Sequence, residues 1–346
     1  MKEGMSDRKS LIMGIFIVVF SVFINLNGAE FVKRGQVGFR FLENPVSAEA
    51  IGRGCLGLVS IYNGNSVFWN PAGISWMKSL YDFSANYNSW IVDISYTSLV
   101  ASVSLRKWGV VAFDVLGMDY GEFYGTRRAN NERGFEDTGV FSPEAYCIGF
   151  TYSQKVSNRF SYGVRVKYAY QDLGTAYIGL QGTDVDDSLL VIGRKSYSHG
   201  EPAVDVGAVY DFNAYGFRFG AVMRNFSREV RYERQRFPLP FSVSFSVVFN
   251  PGLFFSQGEF AESLCFGFET IHPRDFGEKV KFGLEYHYRG VLILRTGYMY
   301  NYDERGLTFG FGVRKGFGDV NLRVDYAYQD FGVFGGVSAM SFGIGF

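Results

Sequence analysis

From Leu80 to Phe346 apolar residues take turns, one by one, with small or polar ones. In FSVSFSVVF, Phe241, Val243, Phe245, Val247 and Phe249 fall on one side of an extended chain, and Ser242, Ser244 and Ser246 on the other. VKFGLEYHYR and LTFGFGVR repeat the pattern. Successive side chains of a strand point to opposite faces, so period two means a ribbon with one greasy face and one polar face. A water-soluble sandwich also alternates, but its outer face is crowded with long polar groups. Here the second face is mostly Gly, Ser, Ala and Thr with scattered charges, and the apolar face is often aromatic near a strand end. That combination fits a transmembrane barrel, whose polar lumen and lipid face, girdled by aromatic rings, alternate along every strand.

The alternation divides into about fourteen segments, near 80–88, 92–105, 108–117, 144–154, 159–171, 203–211, 216–225, 239–249, 263–270, 279–289, 291–300, 306–314, 319–329 and 338–346. The expected fold is all-β: a transmembrane antiparallel β-barrel of about fourteen strands, an even number as in single-chain bacterial barrels. Gaps after odd segments are mostly long, as in Asp119 to Pro143, Asp172 to Pro202 and Phe226 to Pro238. Gaps after even segments are mostly short, as in RKW and KVSN, which matches long outer loops and short periplasmic turns. Asn250 to Ser263 breaks the rule by being long where a short turn is due. In hydrocarbon an unpaired backbone group costs several kcal/mol, so strands enter a bilayer only as a closed ring.

The N-terminus supplies the route. Lys2, Arg8 and Lys9 precede the uncharged run Leu11 to Ile24, followed by small residues Gly28 and Ala29. This is the order of a secretory signal peptide, residues 1–29, and the run is shorter than the roughly 20 residues of a spanning helix. Localisation in the outer membrane of a Gram-negative-type bacterium follows. Basic and acidic side chains balance at 34 each, so nucleic acid is not a partner. Cys55, Cys147 and Cys265 have no zinc or redox spacing and read as small buried residues.

YAYQD occurs twice, ending the fifth and thirteenth segments. Tyr168, Tyr170, Tyr326 and Tyr328 are therefore expected in the outer aromatic girdle, where amphipathic rings sit at the membrane interface. In AMSFGIGF, Phe342, Ile344 and Phe346 share the apolar face and resemble the C-terminal signal read by the barrel-assembly machinery. Among charges on polar faces, Arg165, Lys167, Glu285, Arg323 and Asp325 are lumen candidates. They serve either as a salt-bridged interior or as groups that bind a carboxylate head and gate a path.

No nucleophile–base pair, phosphate loop or metal motif is found; no enzyme activity, cofactor or metal is expected. Thr183 to Ser188, TDVDDS, lacks calcium-loop spacing and reads as a solvated acidic loop. Gly125 to Asp137 reads as a charged surface loop before a partner-docking site.

Residues 30–79 do not alternate, and their Gly and Asn content suggests short helical turns and tight bends. In Trp69-Asn70-Pro71-Ala72-Gly73, Asn70 can cap a short helix with Pro71 in its first turn and Gly73 at its end. The stretch Ser47 to Ser75, with this motif and the spacing of Gly52, Gly54 and Gly57, resembles the N-terminal signature of the PorV/PorQ family, related to the FadL-like superfamily. The ending VDYAYQDFG…MSFGIGF resembles that family's last two strands. The resemblance implies a luminal hatch over residues 30–79 ahead of a barrel over 80–346. It also implies outer-membrane lipid and the assembly machinery as partners, and one of two roles. The first is secretion-associated docking or shuttling of exported proteins, with secretion components and cargo as partners. The alternative is FadL-like transport of long-chain fatty acids or other hydrophobic compounds.

Overall fold

The computed structural model of the chain describes residues 35–129, 131–178, 193–213, 216–232, 234–250 and 263–346. The signal-peptide reading, TDVDDS and most of the Asn250 to Ser263 gap lie outside these residues.

Strands are numbered along the chain. Among the described residues fourteen close into one ring. They are β1 (Tyr81–Ser89), β2 (Ser95–Ser104), β3 (Val110–Asp119), β6 (Glu144–Lys155), β7 (Phe160–Ile178), β8 (Gly193–Asp211), β9 (Arg218–Ser227), β12 (Ser242–Phe249), β13 (Leu264–Pro273), β14 (Lys279–Tyr288), β15 (Leu292–Tyr300), β16 (Leu307–Phe317), β17 (Val320–Asp330) and β18 (Gly336–Gly345). Two short hairpins stand apart from the ring: β4 (Phe123–Arg128) with β5 (Phe135–Phe141), and β10 (Val230–Arg231) with β11 (Arg236–Phe237). Each ring strand runs antiparallel to the next, and β18 closes on β1 from Asp82↔Gly345 to Ser89↔Ser338. The ring leaves no open edge, which is the condition for burying strands in lipid.

The alternation sets which way each residue points. Ser242, Ser244 and Ser246 are buried, while Phe245 between them is exposed. Phe83, Phe113, Phe150, Phe309 and Phe342 are exposed in the same way, as residues that meet acyl chains must be.

Short turns gather at one rim, among them 156–159, 289–291 and 318–319, and the opposite rim carries the hairpins. Within the stretch Asp172 to Pro202, expected as a loop, the described residues 172–178 and 193–202 instead continue β7 and β8, each 19 residues long and paired from Phe160↔Tyr210 to Ile178↔Gly193. At roughly 3.3 Å per residue the ribbon is about 60 Å long, far more than the ~25 Å apolar band. Gly125 to Asp137 is likewise largely hairpin, with Arg127 opposite Glu136 and joined to it at 2.9 Å.

The inner space is filled by residues 35–79. This segment contains α1 (Ala48–Ile51) and 3-10 turns at Arg40–Glu43, Gly64–Phe68 and Pro71–Trp76. Phe39, Phe41, Ile51, Leu56, Leu58, Val59, Ile61 and Ile74 are among its fully buried side chains. A buried Leu or Ile contributes roughly 1.5–3 kcal/mol, so the apolar core of the molecule lies inside the ring. α1 packs on β16, β17 and β18, and the Pro71–Trp76 turn on β6, β7 and β8.

Glycines set how near the segment comes to the wall. A Cβ on Gly52 would stand 2.9 Å from Gly310 Cα, and one on Gly54, whose φ is +74°, would stand 2.5 Å from the Phe282 carbonyl. Across the lumen, Gly163 and Gly207 leave room for Pro71 and Asn70. The glycine-rich polar face of the sequence is thus, at these positions, where backbone meets backbone.

Candidate functional site in the barrel lumen

Asn70 is fully buried and tied at both ends. Its Oδ1 accepts from the Ala72 amide at 3.0 Å and its Nδ2 donates to the Ala208 carbonyl at 3.1 Å, so one side chain caps the turn and tethers it to β8. Pro71 occupies the first turn. The Ala72 carbonyl accepts from Ser153 and Ser161, and Trp69 Nε1 donates to Ser47 at 3.2 Å. Gly73 does not end the turn as expected. The turn runs on to Trp76 because Gly73 is packed against the Ile61 carbonyl, leaving the stop to Met77.

The five lumen candidates all face inward, and they belong to separate ion clusters. On one wall Arg165 reaches Asp114 with Nε at 3.0 Å and with Nη2, and Asp205 at 3.3 Å. Lys167 Nζ lies 2.6 Å from Asp205 and donates to Asn225 Oδ1 at 2.6 Å. Gly149 stands between Asp114 and Lys167 in register, and its missing side chain gives the Arg165 guanidinium its path.

On the far wall Arg295 joins Glu285 at 2.5 Å and Asp325 at 2.7 Å, and Arg314 joins Asp325 at 2.9 Å. Here the inner segment takes part. Arg53 Nη1 donates to Glu285 at 3.1 Å, and Glu49 lies 3.7 Å from Arg314 and 4.0 Å from Arg295. Burial pushes the Glu49 carboxyl up, but Arg314, Arg295 and Arg53 outweigh it and hold the pKa below the ordinary glutamate value. Arg323 pairs with Asp82 at 2.7 Å across the closing strands.

Of the girdle tyrosines, Tyr168 and Tyr328 are exposed. Tyr170 and Tyr326, half-buried, lie against Tyr146 at 5.0 Å and Phe311 at 5.5 Å. Phe342, Ile344 and Phe346 all point outward. The Phe346 backbone exchanges hydrogen bonds of 2.8 and 3.0 Å with Tyr81.

A cavity of about 410 Å³ lies between the inner segment and strands β12 to β15 at the hairpin-bearing rim. Its floor includes Trp69 and Cys55, its walls Ile271, Met299, Lys279 and Lys281, and its mouth Tyr302, Arg305, Phe331 and Phe334. The Arg305 guanidinium lies 5.0 Å from the Trp90 ring centre and 4.8 Å from that of Phe331. Lys279 Nζ lies 4.3 Å from the Phe276 ring and 4.7 Å from that of Tyr302. Among the described residues neither cation has a carboxylate within ion-pair distance, and aromatic faces are near neighbours of both, while Glu43, Asp303 and Glu304 also line the cavity. Burial pushes the Cys55 thiol up to about 11 and raises the Tyr302 phenol, so both stay protonated at neutral pH. This site was not legible in the sequence. Its residues are scattered along the chain, from Arg40 to Phe334.

The cavity reaches Arg224 and Ser242, the last rung of the β9–β12 ladder. Beyond it Pro238 and Pro240 offer no N–H. Asn225, at φ 59°, bulges out of register with β8. Its backbone N–H donates to Asp205 at 2.7 Å and its side chain to the Pro240 carbonyl at 2.8 Å. Phe226 and Phe241 meet edge to face, 6.4 Å apart, beside this bulge.

A closed fourteen-stranded ring with a lipid-facing apolar band and a filled lumen defines an outer-membrane β-barrel protein. Solved structures of the same fold include the Ralstonia pickettii toluene transporter TbuX, at 13% identity and a TM-score of 0.59, over 86% of this chain and 96% of that one. The Pseudomonas putida toluene transporter TodX matches at 12% identity and 0.56, over 86% and 96%. A Pseudomonas aeruginosa FadL homologue matches at 13% and 0.56, over 87% and 98%. No protein-family model and no curated protein matches the chain.

Proposed function

We propose that this barrel carries hydrophobic or amphipathic small molecules across the outer membrane, the FadL-like alternative, and that they first lodge in the rim cavity. The observation that carries the reading is that cavity, with aromatic rings at its floor and mouth and two cations that have no carboxylate within ion-pair distance among the described residues. The toluene-transporter fold supports it. An amphiphile would lay its apolar part on Ile271, Met299 and Trp69 and set a carboxylate near Lys279 and Arg305. The end of the β9–β12 ladder at Arg224↔Ser242, beside the Asn225 bulge, offers a lateral way from the cavity into the membrane. In this reading residues 1–29 are an export signal, 30–79 a hatch and 80–346 the barrel. The hatch motif Trp69 to Gly73 then holds the plug, and Phe346 with its neighbours engages the assembly machinery.

The test is uptake of a long-chain carboxylate and of toluene into proteoliposomes. Each of Lys279→Ala and Arg305→Ala is expected to weaken carboxylate binding roughly tenfold, as loss of a charge-assisted contact does, and to spare toluene. Uptake no faster than in protein-free vesicles for both compounds sinks the proposal.

Membership of the PorV/PorQ family, with docking of exported proteins, rests on the N- and C-terminal motifs and draws support from the projecting β4–β5 and β7–β8 ribbons. Recovery of secretion components or cargo with the barrel from outer membranes would favour it; recovery of lipid alone counts against it.

A further inference from the structure

The connection between β9 and β12 concentrates positive charge in a chain that is neutral as a whole. Residues 228–236 hold Arg228, Arg231, Arg234 and Arg236 against two glutamates, and Arg274 lies beside them, 3.7 Å from Glu229. The hairpin is anchored from one side. Val230 is buried, Tyr232 stacks on Phe237 at 5.5 Å, and Gly38 of the inner segment donates its N–H to the Pro238 carbonyl at 3.1 Å. All five arginines are exposed.

Arg231 stands directly opposite Arg236 in the ladder. Like charges facing each other across two strands destabilise the pair, whereas the β4–β5 hairpin sets Arg127 opposite Glu136. The rung therefore sets two guanidinium groups side by side in the hairpin.

Height along the wall narrows the anion's identity. Phe226, 57% exposed, is the last lipid-facing aromatic of β9, and Arg228 follows two residues on. Two residues of strand rise about 7 Å, the step from acyl chains to head groups. The planar guanidinium fork matches phosphate in two-point contacts.

We propose that the β10–β11 hairpin docks the phosphorylated head group of an outer-leaflet lipid, held by Arg228, Arg234, Arg236 and Arg274. The site rests on the barrel's place in the membrane and is independent of what the lumen transports.

The experiment presents the full-length protein in detergent with diphosphorylated lipid A, with the same lipid stripped of phosphate, and with inorganic phosphate as competitor. Native mass spectrometry counts the bound lipid. Phosphorylated lipid should be retained at least about tenfold better than the stripped form, and a variant combining R228A, R234A, R236A and R274A should lose that margin. The corresponding Arg→Lys variant should keep part of it, since charge remains but the fork does not. Heat-resistant mobility on gels checks that each variant is folded. Equal retention of stripped lipid, equal retention by the folded alanine variant, or complete displacement by millimolar inorganic phosphate overturns the proposal. Should the alanine variant not fold, the wild-type protein decides. Raising salt from about 50 mM to about 500 mM must release the phosphorylated lipid, and retention unchanged by salt overturns the proposal.

Discussion

The two charged walls of the lumen use the same chemistry to different ends. On β3, β7 and β8, Asp114, Arg165, Lys167 and Asp205 satisfy one another with Asn225 of β9, and among the described residues the inner segment adds the Phe68 ring, 5.2 Å from Arg165. On β14 to β17 the wall shares its charges with Arg53 and Glu49 of the inner segment. Close glycine contacts hold the inner segment on both walls, to which the first wall adds hydrogen bonds of Asn70 and Ala72 and the second adds ion pairs. The first cluster therefore belongs to the ring, and the second to the joint between ring and filling.

Four measurements probe that division, in descending order of effect. Asp205→Ala strips Lys167, Arg165 and the Asn225 amide of a shared partner. Breaking a buried pair from one side costs about 3–5 kcal/mol, so the unfolding midpoint in urea should fall steeply while exchange protection of residues 48–57 is kept. A loss under about 1 kcal/mol would show that the cluster does not hold the ring.

Glu285→Ala should do the reverse, at about 1–3 kcal/mol. Amide exchange at residues 48–57 should quicken with little change in ring stability, and a uniform loss across the barrel would erase the distinction. Gly207→Ala drives a methyl into Asn70 and should cost about 1–3 kcal/mol as overpacking. The loss should appear as freer exchange at residues 70–76, and unchanged protection there contradicts the close contact.

The smallest effect is a pH response at Glu49. Its pKa in the folded protein lies below that of an ordinary glutamate, about 4.5, so its contribution is complete above that value and fades as pH falls through the folded pKa. Exchange at residues 48–51 should therefore rise only below about pH 4.5, and Glu49→Gln should remove the step. A step near neutral pH would contradict the assignment.

Strand number and facing were legible because the bilayer enforces contrast. Ser244 beside Phe245 leaves no doubt about direction when one face must be oily. The β7–β8 ribbon beyond Gln171 carries no such contrast, so Thr175 to Ile178 read as loop. The inward charges were legible one by one, but their partners were not. Glu285 and Arg53 are separated by 232 positions, and only closure of the ring brings them together. The rim cavity was hidden for the same reason, since Trp69, Lys279, Arg305 and Phe331 share no local pattern.

The seam between β1 and β18 has a consequence for how the molecule comes into being. The two strands that zip together to finish the cylinder lie at opposite ends of the barrel sequence, so every earlier stage is a curled ribbon with two raw flanks. Those flanks invite pairing with any passing strand until the final hairpin arrives, and a chaperoning surface has to shield them in the meantime.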